Sequence, residues 1–362
     1  MKPSYYLIIV CLFLTALFFS SCNEPIEPPA SVFEIITVNS DITTNTTWTE
    51  GNVYVINKTD FYVEAELVLE PGVIVKFPSD FAYITLGDGG KILAEGTTEK
   101  SIIFTSYKDD ARGDDTNDDG NATTPSKGNW GTIDLNGKTG SVFKYCEFYY
   151  GGVATTPSLK LSAGASATIE HCVFAYNTGG YSFGYYIGVL DASDAANSTI
   201  IRNNLFYNNE LPLTIFSEID MDNSNSFYKS GNGNTMNGIF VSGNIGSNTY
   251  WQEDEVAFVI TSFDLQIFEG SSLVLGDNVV IKFVEGSRLN LIGGESVMEN
   301  YQGTGVHFTS IKDDTRKGDT NGDMSISGPA TGDWLGIFLD DYKGGYADWP
   351  NIHYNDPNAV VK

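Results

Sequence analysis

The chain has 362 residues and carries 46 Asp and Glu against 20 Lys and Arg, a formal charge of −26. So acidic a surface repels nucleic acid and anionic head groups and argues against a nucleic-acid partner. With 20 Tyr, 22 Phe and 38 Gly, the composition excludes a disordered chain and suits many short strands broken by tight turns.

At the N-terminus Lys2 is followed by the apolar run Tyr5–Phe19 and then by Ser20-Ser21-Cys22. A basic residue, an apolar core too short for a stable span and small residues before a cysteine resemble a bacterial lipoprotein signal peptide over residues 1–21. The resemblance makes Cys22 the lipidated first residue of the mature chain, carrying palmitate-type acyl groups; Phe19 stands where such cleavage boxes usually have leucine. Residues 22–31 continue as a proline-rich tether. The expected location is the cell envelope, lipid-anchored at the outer membrane, with the periplasmic and the surface face both open.

The body begins with stretches that read as strands: Val32–Val38, Val53–Ile56, Glu66–Glu70, Val73–Phe77, Tyr83–Leu86, Lys91–Ala94 and Ile102–Thr105, with a turn over Thr43–Thr49. An acidic excursion, Lys108–Asn129, lacks apolar periodicity and reads as a long solvated loop. It ends at Gly128-Asn129-Trp130, whose tryptophan is expected to clamp the loop by packing. Three similar segments follow: VFKYCEF (Val142–Phe148), IEHCVF (Ile169–Phe174) and IRNNLF (Ile201–Phe206). They align Phe148 with Phe174 and Phe206, and Cys146 with Cys172 and Asn204. Spacings of 26 and 32 residues fit successive turns of a coil. In a parallel β-helix equivalent side chains lie about 4.8 Å apart on neighbouring turns. The alignment therefore predicts an inward phenylalanine stack, a Cys/Asn ladder and corner asparagines at Asn177, Asn208 and Asn209. A Cys146–Cys172 disulfide is conceivable; two buried thiols are the preferred reading.

After Trp251 the pattern starts again. Ala257–Ile260, Leu265–Phe268, Ser272–Leu275, Val279–Phe283 and Arg288–Ile292 echo Val53–Ala94, most closely as GVIVKF against NVVIKF, 206 residues apart. The acidic excursion returns too, with Trp334 standing 204 residues after Trp130. The reading is an all-β chain: a parallel β-helix with an internal duplication, a first unit over 32–251, a shortened second unit over 252–341, and 342–362 as a cap or truncated end.

Both excursions space oxygen-bearing side chains at every second residue. Asp115, Asn117 and Asp119 precede Gly120; Asp319, Asn321 and Asp323 precede Met324. Oxygens at such positions can turn toward one hard cation, and the glycine permits the bend, which Met324 strains. Neither excursion has a glutamate at position 12, where Ser126 and Ala330 stand, so a helix–loop–helix calcium site is excluded. A calcium site closed by backbone carbonyls and Asp109, Asp110 or their counterparts stays open, beside the plainer reading of solvated turns.

The lipobox, the short coils and the block Phe308–Ile337 resemble secreted bacterial right-handed parallel β-helix proteins of the pectin-lyase-like superfamily, and in particular lipoproteins of Bacteroidetes. The resemblance covers residues 50–340. It implies a right-handed, single-stranded β-helix and a cell-envelope address, but no single chemistry, because lyases, hydrolases, epimerases and adhesins share the scaffold. No catalytic pattern stands out. Lys144, Lys160 and Arg202 form no recognisable constellation and read as solvated, His171 reads as an outward polar residue, and His307 and His353 stand isolated. Tyr145, Tyr149, Tyr150, Tyr176 and Tyr207 read as a ridge able to bind a polysaccharide or a cell-surface protein, or as loop anchors. The leading expectation is a carbohydrate- or protein-binding scaffold rather than an enzyme. A calcium-dependent polysaccharide lyase or glycoside hydrolase, and a truncated β-helix without activity of its own, are the alternatives.

Overall fold

Apolar and polar side chains alternate along short stretches such as Glu66–Leu69 and Tyr83–Leu86, so each buries one side and turns the other outward. A single strand of this kind cannot bury its apolar side alone; stacking successive turns of the chain does it. The computed structural model describes residues 33–359 apart from 80, 155, 183, 341, 342 and 344. The signal peptide, Cys22 and the tether lie outside the described residues.

The architecture is all-β, built largely of parallel sheets, and β-helix-like. A seven-stranded sheet contains Glu34–Val38, Asn52–Ile56, Ile74–Phe77, Ile102–Ser106, Cys146–Tyr149, Val173–Ala175 and Leu205–Tyr207. A ten-stranded sheet runs from Asp60–Val63 through Tyr83–Leu86, Ile133–Asp134, Leu159–Lys160, Leu190–Ala192 and Leu213–Phe216 to Gly238–Ser242, Ala257–Ile260, Val280–Phe283 and His307–Ser310. A six-stranded sheet from Thr46–Trp48 to Ile200–Arg202 forms a third face. Thr46–Trp48 is thus a strand where a turn was expected, because Trp48 is buried and stacks on Tyr54 at 4.5 Å. Up to Leu205–Tyr207 the strands of one sheet are separated in sequence by strands of the other two; beyond Gly238 the ten-stranded sheet continues, with strands of a three-stranded and a four-stranded sheet between its members.

The interior matches the aligned segments. Phe104, Phe148, Phe174, Phe206 and Phe227 stack in one column with ring centroids 4.9, 4.6, 5.0 and 5.4 Å apart. Cys146 and Cys172 are free, buried thiols whose Sγ atoms donate to the carbonyls of Ala94 and Phe143. Asn204 continues the ladder: its Oδ1 accepts from the Cys172 amide at 2.9 Å and its Nδ2 donates to the Ile169 carbonyl and to Asn225. Asn177, Asn209 and Asn234 form a second ladder, each amide group satisfying backbone of the preceding turn. Asn208 is not in it; it takes a left-handed φ of 55° at the bend.

One feature of the stacking could not be read from the repeat. Asn52–Ile56, Ile74–Phe77 and Ile102–Ser106 belong to the seven-stranded sheet, but their counterparts Ala257–Ile260, Val280–Phe283 and His307–Ser310 extend the ten-stranded one. The second pass therefore joins the stack one face out of phase. The ten-stranded sheet crosses the 251/252 boundary without a break, through the pairing of Gly238–Ser242 with Ala257–Ile260. In the segment after 342, Ile352 bridges Phe308, and Asn355 bridges Trp334. Phe148 and Gly151, 204 residues earlier, make the same contacts to Phe104 and Trp130.

Candidate metal centres

The first acidic excursion leaves the strand Ile102–Ser106 and the second leaves His307–Ser310. Each folds back over a lysine on the neighbouring strand. Val75 and Phe77 face the core, so alternation points Lys76 outward, yet it is wholly buried. Its Nζ donates to the carbonyls of Asp109 at 3.0 Å and Asp114 at 2.6 Å. Lys282, equally buried, donates to the Gly318 carbonyl at 2.8 Å and to Thr320 Oγ1 at 2.7 Å. Burial lowers both amine pKa values, that of Lys282 to about 8, against the opposing pull of the nearby aspartates. The excursions are thus only partly the solvated loops expected: residues 120–124 and 324–326 are exposed, but the base of each loop is folded against its sheet. They are plugs whose carbonyls replace water around a buried amine.

Asp109 and Asp313 hold each plug together. Asp109 Oδ2 accepts from Thr105 Oγ1 at 2.7 Å and from Arg112 at 3.0 Å. Asp313 Oδ2 accepts from Thr309 Oγ1 at 2.7 Å and from Arg316 at 2.8 Å. These two carboxylates are consumed by protein partners. Their neighbours Asp110 and Asp314 are not.

Asp110, Asp115 and Asp119 bring carboxylate oxygens within 4.8 Å of one another, and Asp314, Asp319 and Asp323 do the same. Asp115 accepts from the Gly120 amide at 2.8 Å and Asp319 from the Met324 amide at 2.8 Å, so each is fixed by the turn it opens. Asp119 caps the amides of Ala122 and Thr123, and Asp323 those of Ile326 and Ser327. Asn117 and Asn321 lie beside the clusters, donating to Asp119 Oδ2 at 2.8 Å and Asp323 Oδ2 at 3.0 Å. Asp110 Oδ1, Asn117 Oδ1 and Asp314 Oδ1 are buried and take no hydrogen bond. Burial, and then the charges of Asp115 and Asp119, push the Asp110 carboxyl above the usual range. Converging carboxylates with an orphaned buried oxygen are what an oxygen-seeking cation satisfies. Both clusters can coordinate a divalent cation such as calcium. The spacing marked four of the six carboxylates and both asparagines, with Asp109, Asp110 or their counterparts as candidate closing groups; Asp110 and Asp314 complete the sets, and Asp109 and Asp313 do not.

Trp130 and Trp334 close the plugs by packing. Trp130 stacks on Phe77 at 4.3 Å and donates its indole N–H to the Tyr149 carbonyl; Trp334 stacks on Phe283 at 3.9 Å and donates to the His353 carbonyl. Both rings are wholly buried, so neither is a sugar platform.

The tyrosine row is only partly a surface. Tyr149 and Tyr207 are buried, under Arg112 at 3.8 Å and Lys229 at 4.7 Å from the ring centroids. Tyr150 and Tyr176 lie between them, centroids 5.9 Å apart, with Tyr176 exposed. Tyr145 is not in the row. It occupies a left-handed corner and stacks on His171, at the equivalent corner one turn on, at 4.7 Å.

The histidines read as isolated are in fact together. His307 Nδ1 and His353 Nε2 lie 3.2 Å apart, and Arg316 reaches the same His353 nitrogen at 3.3 Å. Arginine can only donate, so His353 Nε2 accepts from both, which makes that ring neutral and His307 Nδ1 the donor. Burial and then the Arg316 charge lower both imidazole pKa values. Lys144 and Arg202 pair with Glu170 at 3.5 Å and Asp222 at 3.1 Å. No family model, curated protein or solved structure matches the chain.

Proposed function

We propose that this protein is a lipid-anchored cell-envelope scaffold, clamped by calcium, that presents a surface for binding carbohydrate or protein. Its coil is read as a right-handed, single-stranded parallel β-helix with an internal duplication; the right hand follows from the general preference of parallel crossovers. The carrying observation is that one clamp is built twice. A buried lysine, a Thr–Asp–Arg set, three converging carboxylates and a stacked tryptophan recur at matching positions in both passes. A loop selected only for solubility has no need to gather three carboxylates, with an unpartnered oxygen among them, at the same point twice. A bound cation would remove that repulsion and lock each plug against its sheet.

Calorimetric titration of calcium into the full-length protein in detergent tests this, with thermal unfolding followed in parallel. The expected result is two sites and a raised melting temperature. No binding heat and no stabilisation at millimolar calcium would sink the clamp.

A further inference from the structure

We infer that the outer face of the ten-stranded sheet, beside the hairpin Gly180–Ser182/Tyr185–Ile187, is a binding groove for a neutral sugar unit of a glycan. This deepens the binding-scaffold reading, on which it rests, by giving it a place and a ligand class. It uses no part of the acidic plugs.

The hairpin forms a two-stranded antiparallel sheet of its own. It is seated by Tyr186, which stacks on Phe240 at 4.8 Å and packs against a buried cluster of Leu211, Phe240 and Val259. Beside it lies a groove of about 520 Å³, within the size range of small-ligand sites. Three kinds of group converge there.

The first is an open amine. Lys160 lies in register between Asp134 and Asp191, one strand away on either side. Despite that placement it makes no ion pair among the described residues, and it lines the groove. The second is a set of oriented acceptors. Asp191 Oδ1 is fixed by Thr214 Oγ1 at 2.7 Å and the Ser193 amide at 3.0 Å, which leaves Oδ2 for a ligand. Asp194 is held by the Ala163 amide at 2.7 Å, and Ser162 by donating to Asp134 at 2.6 Å. The third is an aromatic plane: Tyr185 is 71% exposed at the groove's edge.

Fixed carboxylates take the paired hydroxyls of a pyranose, a free ammonium donates to ring or hydroxyl oxygens, and an aromatic ring covers the apolar C–H face. The sign of the charge narrows the class. Two carboxylates to one ammonium in the wall, on a chain of charge −26, disfavour uronic or sulfated sugars. Neutral sugars remain.

The test is saturation-transfer NMR and calorimetry on the full-length protein in detergent. The probes are cello-, manno- and xylotetraose, with tetragalacturonate as the anionic arm. At least one neutral tetraose should bind. Tyr185→Ala and Lys160→Ala, both at surface positions, should each weaken it about tenfold or more while melting temperature and calcium heats stay unchanged. Three results would overturn the proposal: no binding by any neutral tetraose, preferential binding of tetragalacturonate, or binding lost with Tyr176→Ala but indifferent to Tyr185 and Lys160. Because calcium is titrated into the same samples, failure of the clamp and failure of the groove are read separately.

Discussion

The two acidic plugs are the same device in different surroundings. The first leaves the seven-stranded sheet in the middle of the stack, where further turns follow it. The second leaves His307–Ser310, the edge strand of the ten-stranded sheet. Lysine, Thr–Asp–Arg set, carboxylate cluster and tryptophan are kept. What differs is the partner of the arginine and the residues that hold the left-handed bends. Arg112 stacks on the Tyr149 ring, while Arg316 meets His353 at the matching position. What stayed the same defines the clamp; what changed shows how far its setting can vary.

The sharpest break is to remove the tryptophan that both plugs keep. Trp130→Ala and Trp334→Ala each leave a cavity against a stacked phenylalanine and orphan a carbonyl. Each should cost about 3–5 kcal/mol in denaturant unfolding. A much smaller loss for one alone would mean that its plug packs independently of the coil.

The next comparison is by cation. Asp110→Asn should abolish one calcium site and Asp314→Asn the other, each leaving its partner site intact in calorimetry. At free calcium a hundredfold above Kd, a lost site removes about 2.7 kcal/mol of stabilisation. If both variants keep two sites, the carboxylate clusters are not where calcium binds.

Much of the coil was legible before any coordinates, because a coil stacks like on like. Aligning VFKYCEF, IEHCVF and IRNNLF was enough to place Phe148, Phe174 and Phe206 in one column and Cys146 under Cys172 and Asn204. The spacing of Asp115, Asn117 and Asp119 likewise marked the cluster. The residues that were missed are those whose partners are set by folding across turns. Lys76 and Lys282 look like ordinary outward lysines until a loop from the next strand covers them; their recurrence within GVIVKF and NVVIKF was the available signal. His307 and His353, 46 residues apart, meet only because Asn351–Asn355 lies along the edge of the last strand. The shift of face between the two passes is invisible to any alignment, since each pass keeps its own internal spacing.

The histidine pair separates the plugs by pH. Both imidazole pKa values are lowered in the folded state, so the unfolded chain binds more protons as pH falls below the ordinary histidine value of about 6.5. The stability that the neutral pair contributes is therefore complete above that value and is lost as pH falls through the lowered folded values. Protonation would place positive charge on His353 Nε2, against Arg316 and His307, with only Asp313 to oppose it. Melting temperature should drop between pH 7 and pH 5. His353→Tyr, which installs the residue of the first plug, should flatten that drop, and an unchanged slope would assign it to other groups.

The smallest effect tests the bends themselves. Gly120 and Met324 occupy the same place in their plugs and take φ values of 61° and 57°. A residue with a Cβ pays for this conformation in steric crowding of about 1–2 kcal/mol, and glycine does not. The second plug carries its own glycine two residues earlier, at Gly322, where the first has Asp118 in the same left-handed region. The strain has moved within the turn, not disappeared. Met324 is 84% exposed, so replacing it loses no core packing. Met324→Gly should gain about 0.5–1 kcal/mol, the relieved strain offset in part by glycine's freedom in the unfolded chain. Gly120→Met, which has no atom within contact of its added Cβ, should lose a similar amount. Calcium affinity should follow in the same direction at each site, because Met324 and Gly120 supply the amides that fix Asp319 and Asp115. Equal and opposite shifts in melting temperature and Kd would show that bend strain bears on both sites alike; no shift in either would mean that the bends are not strained.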